Sequence, residues 1–186
     1  TEAAGRPLRL VFGVDADRQR QHRLGYENFL GSELGVRGAL RRDQLDRVGN
    51  SDLYLQGEWS LGDATELMAG LRHSRVHFDS DDRYITSANP DDSGEATYSD
   101  TTPVLGLSHR LGANWTAYAS FGRGFETPTF DELGYRPDGS AGLNFDLEAS
   151  RTRSFEAGAR ASFENGGELD LTAFRADTRD ELAVAS

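Results

Sequence analysis

The sequence predicts an all-β chain whose antiparallel strands form an up-and-down meander, part of a transmembrane β-barrel. Three observations support this fold class. Apolar and polar residues alternate along about seven segments, short turns alternate with long loops, and aromatic residues stand at the ends of the apolar faces. Alternation alone also fits a soluble β-sandwich, because a sandwich strand likewise has one apolar face. The other two observations favour the barrel.

The strands are predicted from alternation, because side chains on a strand change face at every residue. In chain order the predicted strands cover residues 8–15, 51–60, 65–77, 105–111, 115–121, 154–163 and 169–177. The fifth is the clearest, with an apolar face made of Trp115, Ala117, Ala119 and Phe121. The residues expected on one lipid-facing side of the sheet are Leu53, Leu55, Leu67, Leu71, Leu105, Leu107, Ala117, Ala119, Ala157, Ala159, Leu169 and Leu171.

The connections between these strands alternate in length. Turns of a few residues follow the second, fourth and sixth strands, and the last of them contains Asn165-Gly166-Gly167, which is typical of a hairpin. Long polar loops are predicted at about residues 16–50, 78–100 and 122–151. Soluble β-proteins usually connect strands with about 2 to 6 residues. Outer-membrane barrels instead combine short periplasmic turns with long extracellular loops.

Aromatic residues mark both ends of the predicted apolar faces. Trp59, Trp115 and Phe163 lie beside short turns, whereas Phe121 and Phe155 lie beside long loops. Leucine and alanine occupy the positions between them. Aromatic rings at both membrane interfaces with aliphatic residues between them are the pattern of an outer-membrane barrel.

Composition limits the possible functions. The formal net charge of -11 argues against a nucleic-acid partner, which basic surfaces attract. Mean hydropathy is -0.61 and no apolar run approaches the roughly 20 residues of a membrane helix. His73 and His77 share a strand face without a third ligand nearby in sequence, so no metal site is predicted. No motif for catalysis or for a cofactor is found, and we expect neither an enzyme nor a cofactor.

Three stretches carry a resemblance to a known family. Residues 118–128 read Tyr-Ala-Ser-Phe-Gly-Arg-Gly-Phe-Glu-Thr-Pro and are followed by Glu132-Leu133. This resembles the signature of TonB-dependent outer-membrane receptors. Residues 150–158 look like the next strand of that family, and residues 174–184 are similar to a later one. The matching signature positions are Tyr118, Phe121, Arg123, Gly124, Phe125, Pro128, Glu132, Leu133, Phe155, Glu156 and Gly158.

The resemblance implies that residues 1–186 are a partial barrel domain, without the plug domain, from the outer membrane of a Gram-negative bacterium. Complete receptors of the family enclose a plug in a barrel of about 22 strands. About seven strands are therefore expected to form an open sheet. The implied function is active uptake of a scarce nutrient, a ferric siderophore, driven by the TonB protein through the plug. Two alternatives stay open, namely a passive porin-like channel and a soluble carbohydrate-binding β-sandwich.

Candidate ligand-binding residues come from the predicted outer loops. Arginine and tyrosine suit an anionic iron chelate, because they supply charge-assisted hydrogen bonds and stacking surfaces. The candidates are Arg83, Tyr84, Arg123, Tyr135 and Arg136. The alternative for each is an ordinary surface residue. The expected partners are outer-membrane lipid, an iron–siderophore complex, and TonB acting through the plug domain of the full-length protein.

Overall fold

A computed structural model of the chain describes residues 1–136, 142–164 and 166–181. The strands are β1 (Glu2–Ala3), β2 (Arg6–Tyr26), β3 (Phe29–Leu30), β4 (Glu33–Leu34), β5 (Leu40–Ser60), β6 (Thr65–Asp82), β7 (Gly94–Leu111), β8 (Trp115–Glu126), β9 (Ser150–Ser162) and β10 (Glu168–Arg179). The described residues also contain a short helix, α1 (Phe130–Leu133). None of their helices is long and apolar enough to cross a membrane.

The eight-stranded sheet is antiparallel and has the order β1-β2-β5-β6-β7-β8-β9-β10. Strands β3 and β4 pair only with each other and form a small separate hairpin in the connection between β2 and β5. Long strands that are consecutive in sequence are therefore neighbours in the sheet. The predicted up-and-down meander is confirmed, and β2 and β10 lie towards the two ends of an open sheet.

One face of the sheet, here called the outer face, carries the apolar side chains. Val14 lies opposite Leu53, and further along the sheet Leu107 lies opposite both Leu67 and Ala119. Directly opposed residues of an antiparallel pair point to the same side, so the apolar face continues from strand to strand. Most of its large side chains are exposed, and Leu171 for example is 58% exposed. Within the described residues no second sheet packs on this face, so the β-sandwich alternative is wrong.

The opposite face, here called the inner face, carries buried polar groups. The Asp52 side chain is 1% exposed and accepts a 2.6 Å hydrogen bond from Nη2 of Arg72. The Asp46 side chain is fully buried and accepts hydrogen bonds from Gln44 and Ser80. Apolar groups outside and paired polar groups inside invert the pattern of a soluble protein. This inversion is the arrangement of a barrel wall between lipid and a wet lumen.

The strands are longer than alternation predicts. Strands β2 and β5 have 21 residues each and pair from Leu8–Trp59 up to Tyr26–Leu40. The predicted loop over residues 16–50 is therefore wrong. Its two ends are strand, and only residues 27–39 connect them. The extension of β2 is polar at every position from Asp17 to Arg23, and Nε2 of His22 contacts Asp43 of β5 at 2.7 Å, so it lacks the apolar alternation that a membrane segment requires.

The other two predicted long loops are also shorter than expected. Strand β6 continues to Asp82 and β7 begins at Gly94, so the connection covers residues 83–93. The third runs through residues 127–149 rather than 122–151. The alternation of long and short connections nevertheless holds, since β5–β6, β7–β8 and β9–β10 are joined by turns.

Two inner-face tyrosines each lie across a glycine of the neighbouring strand. Tyr54 is opposite Gly13 and Tyr118 is opposite Gly158. A Cβ atom at Gly13 would be 2.3 Å from the Tyr54 ring, and one at Gly158 would be 2.6 Å from the Tyr118 ring. Only glycine leaves room for a ring lying flat against the neighbouring backbone.

The ladder between β7 and β8 is incomplete. Its last pair is Val104 with Gly122, beside Pro103, which has no backbone N–H to donate. The earlier part of β7 pairs with β6 but not with β8. The connection after β8 contacts this part of the sheet instead, since the Tyr98 hydroxyl donates a 2.8 Å hydrogen bond to the Leu147 carbonyl. The connection after β8 thus packs on the part of β7 that has no ladder partner in β8.

Candidate functional site

The first two signature stretches lie side by side in the sheet, on β8 and β9. Register places Tyr118 opposite Gly158 and Phe121 opposite Phe155. The rings of Phe121 and Phe155 are 4.9 Å apart on the outer face, where the apolar band meets the polar extensions. Glu156 lies opposite Ser120 on the inner face. The two sequence matches are therefore one structural unit.

The end of the signature builds a rigid turn. Pro128 is fully buried, and Leu133 is 0% exposed. Between them Thr129 and Glu132 form a capping box around α1. The Glu132 carboxylate accepts hydrogen bonds from the Thr129 N–H at 2.7 Å and the Thr129 hydroxyl at 2.9 Å, and the Glu132 N–H returns one to that hydroxyl. This reciprocal pairing satisfies N–H groups at the helix start and fixes how the chain enters it.

Helix α1 is held against the sheet by aromatic contacts. The Phe130 ring meets the Phe78 ring edge to face with centroids 5.1 Å apart, and Tyr98 meets Phe78 similarly at 5.9 Å. Phe78 itself is 4% exposed. Such edge-to-face pairs each stabilise packing by about 0.5 to 1.5 kcal/mol beyond their buried area. The connection after β8 is thus a packed part of the wall.

One carboxylate joins three strands beside this connection. Asp100 on β7 lies 3.4 Å from Nη2 of Arg123 on β8 and 3.2 Å from Nε of Arg151 on β9. Its side chain is 15% exposed. These contacts span the region where β7 and β8 are not hydrogen-bonded to each other. Arg123, a predicted ligand-binding residue, therefore contacts the protein's own carboxylate.

Beside α1 lies a cavity of about 370 Å³, here called the loop-end cavity. The ends of β2, β5 and β6 form one side, and α1 with the following residues forms the other. Its lining residues are Arg23, Arg41, Arg42, Gln44, Asp82, Tyr84, Asn89, Asp92, Phe130, Asp131, Gly134, Gly142 and Leu143.

The three arginines and three aspartates of this lining balance in number, but their hydrogen bonding differs. Asp82 accepts hydrogen bonds from the N–H of Tyr84 at 3.0 Å and of Asp92 at 3.4 Å. Arg23 lies between two carboxylates, 3.8 Å from Asp46 and 3.6 Å from Asp131.

Arg41 and Arg42, by contrast, are exposed and form no ion pair within the described part of the chain. Guanidinium groups without a carboxylate partner keep their donors for an incoming anion. The cavity therefore has one side suited to a negatively charged ligand.

The rim of the cavity carries further charge in residues 83–93. Hydrogen bonds from the hydroxyl and backbone N–H of Ser93 lower the pKa of Asp91, so that carboxylate keeps its charge near neutral pH. Arg83 is turned to Asp81, with donor–acceptor distances of 2.8 and 2.9 Å. Residues 83–93 thus bring carboxylates, including Asp92 of the lining, close to the cavity.

The five predicted ligand-binding residues are not gathered in one place. Tyr84 lines the loop-end cavity, whereas Arg83 pairs with Asp81 and Arg123 with Asp100. Tyr135 and Arg136 follow α1 outside the lining, and Tyr135 is 46% exposed.

The arginines that do line the cavity were missed from sequence. Arg23, Arg41 and Arg42 lie in a segment without apolar alternation, for which the sequence predicts a loop. Their proximity depends on the register of β2 and β5, in which Gly25 lies opposite Arg42. The run of arginines on both sides of residues 27–39 was a usable signal, because a hairpin brings its two ends together.

Comparisons with known proteins agree with this architecture. A family model described as TonB dependent receptor-like, beta-barrel matches residues 2–186. The siderophore receptor PiuA from Acinetobacter baumannii has a TM-score of 0.72 and 16% identity, over 94% of this chain and 29% of that chain. The ferric-catecholate import receptor Fiu from E. coli, in its closed form, has a TM-score of 0.71 and 15% identity, over 96% of this chain and 29% of that chain. The copper transporter OprC has a TM-score of 0.66 and 19% identity, over 84% of this chain and 26% of that chain.

Identities this low show a shared fold, and the chain spans less than a third of each of these structures. These receptors are named for different ligands, so the fold does not identify a ligand. The family consists of transport receptors of the Gram-negative outer membrane rather than enzymes. With a model match over residues 2–186, the chain belongs to the TonB-dependent receptor β-barrel family.

Proposed function

We propose that residues 1–186 are a partial barrel domain of an outer-membrane receptor that takes up a ferric siderophore. In the full-length receptor a plug domain completes the binding site and couples it to TonB. The apolar outer face lies in lipid, and the loop-end cavity opens on the extracellular side. The observation that carries the ligand class is the pair of unpaired arginines, Arg41 and Arg42, at a cavity that also presents Tyr84.

Charge and size both favour an anionic chelate over a bare metal ion. The unpaired guanidinium groups of Arg41 and Arg42 attract an anion and repel a free cation. The rings of Tyr84 and Phe130 add flat surfaces for the aromatic or conjugated groups of a chelator. A cavity of 370 Å³ also falls within the range of about 300 to 1,000 Å³ typical of small-molecule sites.

The test uses the full-length receptor with Arg41 and Arg42 both changed to glutamine. Each charge-assisted hydrogen bond contributes about 1.5 to 3 kcal/mol, and exposure reduces this. We therefore expect the dissociation constant for a ferric tris-catecholate complex, a trianion, to rise about 10- to 100-fold. Fluorescence quenching on titration measures it.

The matched control is Arg18→Gln with Arg20→Gln, which removes the same charge from the outer face. This control should bind the ferric complex like the parent. An equal loss in both double variants would mean that net charge alone attracts the ligand. No loss in either would show that the cavity does not bind this class of ligand.

A further inference from the structure

The charged groups that line the loop-end cavity differ in the elements that carry them. Arg41 and Arg42 belong to the end of β5, whereas Asp131 belongs to α1. Asp92 lies against the connection that follows α1, since a Cβ atom at Gly142 would be 2.7 Å from Oδ1 of Asp92. The cationic groups therefore come from strand ends, and two of the three carboxylates lie at α1 and the connection after it.

The third carboxylate of the lining, Asp82, is already satisfied by the protein. It accepts hydrogen bonds from the backbone N–H groups of Tyr84 and Asp92. The side-chain amide of Asn89 donates a further one to it at 3.4 Å. Donors of residues 83–93 thus occupy this carboxylate, and it holds that connection in place.

The guanidinium group of Arg23 is shared between two carboxylates, one of them buried. The Asp46 side chain is fully buried, and its Oδ2 atom has no hydrogen-bond donor within the described residues. Nη1 of Arg23 lies 3.8 Å from that atom, and Nη2 lies 3.6 Å from Asp131. A buried carboxylate that water cannot solvate needs a nearby cation more than an exposed one does. Because the Asp131 side chain is 92% exposed, the charge of Arg23 mainly offsets Asp46.

Two cationic and two anionic side chains therefore remain for a ligand. Arg41 and Arg42 have no carboxylate partner in the part of the chain that the structure describes, and there the Asp92 and Asp131 side chains accept no hydrogen bond. A wholly anionic ligand meets the two carboxylates as like charges, which weakens its binding. A ligand that carries both charges, separated along its length, satisfies all four groups.

We propose that the loop-end cavity selects an anionic ferric chelate that also carries a cationic arm with a primary ammonium group. Arg41 and Arg42 bind the anionic chelate, and Asp92 and Asp131 accept hydrogen bonds from the arm. This inference rests on the proposed function, because it narrows the ligand class of the same cavity. It adds a pair of carboxylates as specificity determinants.

The experiment compares two synthetic ferric tris-catecholate complexes that differ in one group. One carries a primary amine on a short arm, and in the other that amine is acetylated and therefore uncharged. Fluorescence quenching of the full-length receptor gives both dissociation constants on one preparation. We expect the amine complex to bind about 5- to 20-fold more tightly, because its arm forms charge-assisted hydrogen bonds that partial exposure weakens.

Variants of the two carboxylates test where this preference arises. Asp92→Asn/Asp131→Asn should bring the ratio of the two constants close to one, whereas Asp92→Glu/Asp131→Glu should retain most of it. The matched control, Glu33→Gln/Asp91→Asn, removes two loop-end carboxylates that do not line the cavity and should keep the ratio of the parent. Because each ratio comes from one sample, a smaller folded fraction lowers the signal without changing the ratio.

The outcomes separate this inference from the proposed function. Equal binding of the two complexes by the parent would overturn the inference alone, as would an unchanged ratio in the asparagine variant or an equal loss in the control. Arg41→Gln/Arg42→Gln should weaken both complexes and leave the ratio as in the parent. If the parent bound neither complex, the proposed function would fail as well.

Discussion

At the scale of single residues, several signature positions form contacts within the protein itself. Gly158 makes room for the Tyr118 ring, and Glu132 accepts the hydrogen bonds that start α1. Arg123 is engaged with Asp100. A short motif thus sets strand register, a helix start and a cross-strand ion pair, and the arginines that face the cavity lie elsewhere in the chain.

The two signature glycines on β8 and β9 should respond differently to alanine. A Cβ at Gly158 would be 2.5 Å from the Leu171 carbonyl oxygen and 2.6 Å from the Tyr118 ring, so backbone and ring must both shift. We expect Gly158→Ala to lower the free energy of unfolding by about 1 to 3 kcal/mol.

Gly124→Ala is the control, because the nearest atom to its Cβ would be 3.6 Å away, an ordinary contact. Alanine there should be neutral or stabilising by up to about 1 kcal/mol, since it restricts the unfolded chain. Urea unfolding of the full-length receptor in micelles, followed by tryptophan fluorescence, measures both. Similar losses at the two glycines would show that the Tyr118 contact does not set the requirement for glycine.

At the scale of elements, alternation predicted the strand segments that have an apolar face and missed their polar extensions. The segment from Trp115 to Phe121 must present apolar groups to lipid at every second position, so alternation reveals it. Residues 16–26 have no such requirement, because both of their faces are polar. The sequence alone therefore predicts a loop there. The cavity could not be predicted, since the proximity of Arg23 to Asp131 depends on long-range packing of α1.

The Asp100 cluster gives a test at this scale. Asp100→Asn leaves Arg123 and Arg151 facing each other without the carboxylate between them. Because the cluster is partly exposed, the substitution should lower the free energy of unfolding by only about 1 to 2 kcal/mol. The loss should be confined to the region where β7 and β8 lack hydrogen bonds to each other. Amide hydrogen exchange should therefore speed up at the ends of β8 and β9 nearest α1.

The control is Asp177→Asn, which also loses an arginine partner, Arg175, but lies on the exposed edge strand β10. Exchange near α1 should be unchanged in that variant. If Asp100→Asn leaves exchange at these strand ends as in the parent, the cluster does not hold the three strands together.

At the scale of the whole molecule, the two faces of the sheet predict opposite environments. Ala119 lies on the outer face within the apolar band, opposite Leu107 and Ala157, whereas the next residue, Ser120, lies on the inner face opposite Glu156. Ala119→Arg in the full-length receptor should lower the free energy of unfolding by about 2 to 4 kcal/mol, because it places a charge in lipid. Ser120→Arg should cost much less, because it faces a wet lumen with a carboxylate beside it.

Unfolding of both arginine variants in lipid vesicles makes the comparison. Equal costs for the two neighbouring positions would contradict a sheet with lipid on one side and water on the other. A larger cost for Ser120→Arg would reverse the assignment of the two faces.

The length of β2 and β5 has a consequence for how a ligand arrives. A barrel strand crosses the membrane with about 9 to 11 residues, and each of these strands has 21. The surplus of about 10 residues, at about 3.3 Å each and tilted by about 45°, raises the sheet about 23 Å above the bilayer. Arg23, Arg41 and Arg42 stand at that height on hydrogen-bonded backbone rather than on loose loops. If the loop-end cavity binds the ligand as proposed, a solute diffusing towards the cell meets it beyond the headgroup layer, before the charges of the lipids can repel it.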